Sequence, residues 1–131
     1  MDGLHVLLVE DNEINQEIAK ELLLMEGASV DVADNGEQAL DIFARSEEGY
    51  YQLVLMDIQM PVMDGYTATA ALRSLRRDDA KTAIILAMTA NVFSDDVIKA
   101  EASGMNAHIS KPFDPDRLYA MIAASCHRKR G

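Results

Sequence analysis

Three observations predict a doubly wound α/β domain, a parallel sheet with helices on both faces. Short apolar runs recur along the chain, segments of helical spacing separate them, and residues that start or stop helices stand at the junctions. Strand-length apolar runs without polar alternation suit strands buried on both faces, as in a parallel sheet. Strand–helix alternation with short connections then calls for right-handed crossovers, which place helices on both sides.

The runs are His5-Val6-Leu7-Leu8-Val9, Val30-Asp31-Val32-Ala33, Leu53-Val54-Leu55-Met56, Ala83-Ile84-Ile85-Leu86-Ala87-Met88 and the weaker Ala107-His108-Ile109. Helical spacing appears in Ile14, Ile18, Leu22 and Met25, in Ala39, Leu40 and Phe43, and in Leu118, Met121 and Ile122. Asp11 or Asn12 can cap the first helix, Asn35 with Gln38 resembles a capping box, and Ser94 precedes Asp95 and Asp96. Gly27 and Gly104 sit where helices stop. Asp114-Pro115 opens the last helix, where proline's missing N–H costs nothing.

The chain of 131 residues fits one domain, 1–131, and 49% hydrophobic residues supply a substantial core. A formal net charge of −10 repels phosphate backbones, which disfavours nucleic-acid binding by this chain. The single Cys126 forms no internal disulfide and makes no zinc-like spacing with His5, His108 and His127. No basic stretch leads into a long apolar run and no run approaches a bilayer span. A cytoplasmic domain is expected, making no membrane contact itself even if its parent is anchored. The basic end at 127–131 reads as a frayed tail or a domain boundary.

In open parallel sheets, ligand chemistry collects at the carboxyl ends of the strands. There the runs are followed by Glu10-Asp11, Asp57, Thr89 and Lys111. Each alone has an ordinary reading as a cap, a strand end or a solvated charge. Together, three carboxylates on one edge repel each other and need a counter-cation or a proton. Mg²⁺, with Mn²⁺ as a substitute, takes oxygen ligands of this kind and would sit on Glu10, Asp11 and Asp57. Lys111 and Thr89 add positive charge and a hydroxyl donor, and Asp57, central among them, is the nucleophile suited to phosphoryl transfer. The GxxxxGK[ST] phosphate loop is absent, and Glu10-Asp11-Asn12 would repel the phosphate of a flavodoxin-type site. A haloacid-dehalogenase-type phosphatase places a second Asp where Gln59 stands.

Four stretches, in order, closely resemble the response-regulator receiver family across essentially the whole chain. They are Val9-Glu10-Asp11-Asn12, Met56-Asp57-Ile58-Gln59-Met60-Pro61-Val62-Met63-Asp64-Gly65, Ala87-Met88-Thr89-Ala90 and Ile109-Ser110-Lys111-Pro112-Phe113. The resemblance implies a flavodoxin-like (βα)5 sandwich whose five parallel strands lie in the order 2-1-3-4-5. It implies Asp57 as phospho-acceptor, Asp11 and the Gln59 carbonyl as metal ligands, and Glu10 acting on the metal largely through water. Thr89 and Lys111 would contact the phosphoryl oxygens. Thr89 would also couple to the switch position on the fifth strand, filled here by His108 where many members carry Tyr or Phe. Gln59 and Asn91 would tune how an attacking water reaches the phosphoryl group, and two neutral amides imply a lifetime that is not unusually short.

Glu10-Asp11-Asn12-Glu13-Ile14-Asn15-Gln16, Asp64-Gly65-Tyr66 and Ser110-Lys111-Pro112-Phe113 look most like receivers of hybrid sensor histidine kinases. Such receivers exchange phosphoryl groups with a kinase phosphoacceptor domain or a histidine phosphotransfer domain. Their docking face implies contacts at Ile14 and Pro112; packing on the sheet is the competing reading, open for Ile14 and expected for Ile18. A monomer or weak dimer is expected. The competing readings are a stand-alone response regulator, a metal-dependent phosphatase with an aspartyl-phosphate intermediate, and an inactive receiver-like interaction domain.

Overall fold

Strands β1 (His5–Val9), β2 (Ser29–Ala33), β3 (Leu53–Asp57), β4 (Ile84–Thr89) and β5 (Ala107–Ser110) form one parallel sheet in the order β2-β1-β3-β4-β5. The computed structural model describes residues 3–58, 64–89, 98, 102–110 and 115–130. Among them are α1 (Glu13–Met25), α2 (Gly36–Arg45), α3 (Gly65–Arg73), the one-turn α4 (Asp79–Thr82) and α5 (Pro115–Arg130). The expected caps Ser94 and Asp114 lie outside the described residues.

Every apolar run is a strand, and pairing carries several of them past the run's end. Parallel bonding continues through Asp57↔Met88 and Thr89↔Ser110, so Asp57 and Thr89 end their strands instead of following them. Alternate strand residues feed two cores. Leu7, Val9, Val54, Met56 and Ile85 pack with Ala39, Phe43, Ala68 and Leu72 from α2 and α3. Val6, Leu8, Leu55, Leu86 and Met88 pack with Ala19, Leu23, Leu118 and Ile122 from α1 and α5.

The inward stripe of α1 differs from the expected one. Ala19 and Leu23 are buried, whereas Ile18 is 48% exposed, Ile14 70% and Met25 74%. Asn15 and Gln16 lie on the inward side with Ala19 and Leu23, both hydrogen-bonding Glu10 at the sheet edge, and Ile14 and Ile18 face out. Ile18 is therefore a surface residue and not part of the core. Asn12 is the helix cap, its side chain accepting from the amides of Ile14 and Asn15 at 2.9 and 3.1 Å. On α2, Asn35 accepts from the Gln38 amide, and the Gln38 side chain reaches back to the amide of Asp34, one residue beyond the usual capping-box partner. The backbone of α5 is helical through Arg130.

Two arginines clamp the end of the molecule away from the strands' carboxyl edge. All five N–H donors of Arg73 are used, on the carbonyls of Gly104, Ala80 and Ala83 and on Asn106 Oδ1, and burial lowers its pKa. Arg77 forms a bidentate pair with Asp79 at 2.6 and 2.7 Å. It also donates to the carbonyls of Phe43 and Ser46, capping the end of α2, and lies over the Phe43 ring. Burial of Asp79 acts to raise its pKa. The hydrogen bond from Arg77 and the one from the Gly49 amide outweigh it, leaving the carboxyl below its usual range.

The pair lies just under the surface, so Asp79→Ala is expected to cost about 2 kcal/mol in urea unfolding, between an exposed and a fully buried pair. A depressed folded pKa adds stability above the unfolded value, about 4, and that stability is lost as pH falls through the lower folded value. Asp79→Asn should therefore flatten the part of the acid limb below about pH 4. An unchanged limb would remove Asp79 from the account of acid stability.

Candidate functional site

Strand register builds the site. β1 and β3 pair through Val9↔Met56, so Glu10 and Asp57 emerge side by side where the buried sheet ends. The amide of Glu10 still bonds the Ala33 carbonyl at 3.1 Å, and that of Ile58 bonds the Met88 carbonyl at 3.1 Å. Both residues are thus held by sheet-like hydrogen bonds on a rigid edge. Asp11 stands one residue further on, exposed, before the Asn12 cap.

Carboxylate oxygens of Glu10, Asp11 and Asp57 lie within 4.8 Å of one another. Glu10 is 1% exposed and Asp57 4%. At an effective dielectric constant of about 20, two charges at this separation repel by about 3 kcal/mol, enough to demand a cation or a proton. The set is all oxygen, part buried and part open to solvent, which fits a hard divalent ion that keeps some of its water.

Glu10 is oriented by residues whose role was not evident in the sequence. One of its carboxylate oxygens accepts from the Asn12 amide and from Asn15 Nδ2, both at 3.3 Å. Gln16 Nε2 donates to the Glu10 carbonyl and to Asp34 Oδ1, bridging β1 to the loop after β2. Their signal was positional: two amide side chains in the first turn of a helix that directly follows a buried acid.

Thr89 ends β4, on the strand next to Asp57, with its backbone in register with Ser110. His108 pairs with Ala87 and is half-buried. Gln59, Asn91, Lys111 and Pro112 lie outside the described residues.

Residues 6–123 match the response regulator receiver domain. The chain belongs to that family. As a receiver, it is 38% identical over 119 residues to hybrid signal transduction histidine kinase I of Dictyostelium discoideum, covering 89% of this chain and 7% of that protein. It is 42% identical over 119 residues to transcription factor SKN7 of Candida albicans, covering 91% of this chain and 20% of that protein. The chain thus spans at most a fifth of either curated relative. The solved receiver domain of sensor histidine kinase PA1611 from Pseudomonas aeruginosa PAO1 is 34% identical, with TM-score 0.83 over 93% of this chain and 96% of that one. That structure carries a magnesium ion coordinated in its active site cleft.

A divalent ion at this receiver's acidic cluster should show in thermal melts. Mg²⁺ at ten times its Kd is expected to stabilise the parent by about 1.4 kcal/mol, and Asp11→Asn should lose that gain. With chelator present, Asp57→Asn should melt above the parent, because it removes one of three like charges. A lower melting temperature for Asp57→Asn in chelator would contradict the repulsion argument.

Proposed function

We propose that this receiver takes a phosphoryl group from a phosphohistidine onto Asp57 in an Mg²⁺-dependent step and loses it again by slow hydrolysis. The observation that carries the reading is the buried Asp57 carboxylate within 4.8 Å of Glu10 and Asp11. Asp57 attacks phosphorus in line: its Oδ–P bond forms as the P–N bond to the donor imidazole breaks, and the imidazole leaves with the bonding pair and takes up a proton. Asp11, Asp57 and the Gln59 carbonyl would hold the cation, with Glu10 acting through water and kept in place by Asn15 and Gln16. When bound, Mg²⁺ supplies charge neutralisation for the phosphoryl oxygens. Thr89 and Lys111 serve the same oxygens, and Thr89 with His108 relays occupancy to the outer face. Gln59 and Asn91 control the approach of the attacking water. The domain accepts and releases phosphate without turning over a separate substrate.

The kinase relative and the receiver of a sensor histidine kinase support an origin in a hybrid histidine kinase, with this domain on the cytoplasmic side. The transcription-factor relative, at 42% identity, supports a response regulator as the second reading. In either setting the donor is a helical histidine-bearing domain, and it meets α1 through Ile14, with Pro112 alongside.

Intact-mass analysis with acetyl phosphate tests the acceptor. A Mg²⁺-dependent gain of one phosphoryl mass is expected in the parent and not in Asp57→Asn; equal gain in both would refute the assignment. Docking is tested separately. Ile14→Ala should slow transfer from a phosphohistidine domain about tenfold, the loss expected for one interface anchor, and leave acetyl phosphate uptake unchanged. Equal slowing from both donors would place Ile14 in the chemistry instead of the interface.

A further inference from the structure

Gly65 is the first residue of α3, and its amide donates to the Ile58 carbonyl at 2.9 Å, tying the start of the helix to the end of β3. Asp64 caps the same turn by accepting from the Thr67 amide at 2.8 Å. A β-carbon at position 65 would overlap the carbonyl oxygen of Asp57 and lie 2.9 Å from the Ile58 Cα and 3.1 Å from the Asp57 carbonyl carbon. All three are backbone atoms, so no rotamer change relieves the contact.

Backbone torsion does not account for the glycine. Positive φ occurs at Gly3, Gly27, Gly49 and Gly104 and not at Gly65. Within a helix, alanine is the better former and glycine the poorer. The residue at 65 is small because the Asp57 peptide occupies the space that a side chain would need.

We propose that Gly65 is a positioning residue for the acidic site: it lets α3 close against β3 so that the Asp57 carboxylate stays in the cluster with Glu10 and Asp11. The inference rests on the reading of Asp57 as acceptor. Any side chain at 65 pushes the Asp57–Ile58 backbone away from α3. In-line transfer and metal binding both suffer, since displacements of about 1 Å are enough to degrade such sites.

The experiment compares the parent with Gly65→Ala, with Asp57→Asn, and with Leu23→Ala, which removes core volume on the α1 side of the sheet. Each is checked by circular dichroism and assayed below its melting transition. Mn²⁺ affinity is read by electron paramagnetic resonance, and phosphoryl uptake from acetyl phosphate by intact mass. Gly65→Ala is expected to bind Mn²⁺ about tenfold more weakly, the loss typical when the support of a metal ligand is disturbed, and to phosphorylate at least that much more slowly. Leu23→Ala should be destabilised yet keep both properties. If Gly65→Ala melts below the assay temperature, sucrose restores folding without touching the contact, and the Mn²⁺ titration is read there. Parent-like Mn²⁺ affinity and rate in Gly65→Ala would overturn the inference. If the parent takes up no phosphoryl group, the acceptor reading fails, and the Mn²⁺ comparison alone still decides whether Gly65 positions Asp57.

Discussion

Pairing between β1 and β3, two strands almost wholly out of solvent, is the constraint from which the rest follows. Val6 to Val9 and Leu53 to Met56 are fully buried and bonded in parallel register, so no backbone group in this stretch has water as an alternative partner. A slip of one residue would turn every apolar side chain to the opposite core and leave the packing of both helical layers wrong. The register therefore holds, and it fixes where the first polar residues can emerge. Glu10 and Asp57 come out next to each other because Val9 and Met56 are partners one step earlier.

That placement works against local stability. Like charges are gathered in a partly buried space at that edge, and at the opposite end buried charged groups meet opposite charge or polar oxygens. Arg77 lies in bidentate contact with Asp79, and Arg73 has a carbonyl or amide oxygen for every donor. The clamped end ties distant turns together, and the acidic edge gathers the charge on which the proposed chemistry depends. Such a division is the usual form of a trade between stability and function. Glu10 is held from three sides, by the Asn12 amide and by the side chains of Asn15 and Gln16. On the face of α1 away from these bonds, Ile14 and Ile18 are exposed.

Much of this was legible in the sequence, and the parts that were not share a physical reason. The strands could be read because burial on both faces leaves continuous apolar runs, and the acidic edge because the residues ending those runs are charged. At Ile18 the inward face of α1 was misread, because apolar spacing alone favours it, while Ala19 and Leu23 are the residues that face the sheet. Neither α4 nor the arginine clamps could be foreseen, since their bonds join residues about thirty positions apart, such as Arg73 with Gly104 and Arg77 with Phe43. Asp64-Gly65 entered the sequence reading only as part of a family-like stretch, and the contact with the Asp57 peptide gives the physical reason for glycine.

The claim that Asp57 carries the phosphoryl group is tested most directly by hydride trapping. An aspartyl phosphate is a mixed anhydride, which borohydride reduces to homoserine with release of phosphate, marking the acceptor permanently for peptide mass spectrometry. Homoserine at position 57, and only after phosphorylation in the presence of Mg²⁺, is the predicted result. Homoserine at Asp11 or Asp64 instead, or phosphoryl uptake that leaves no reduced aspartate, would contradict the account.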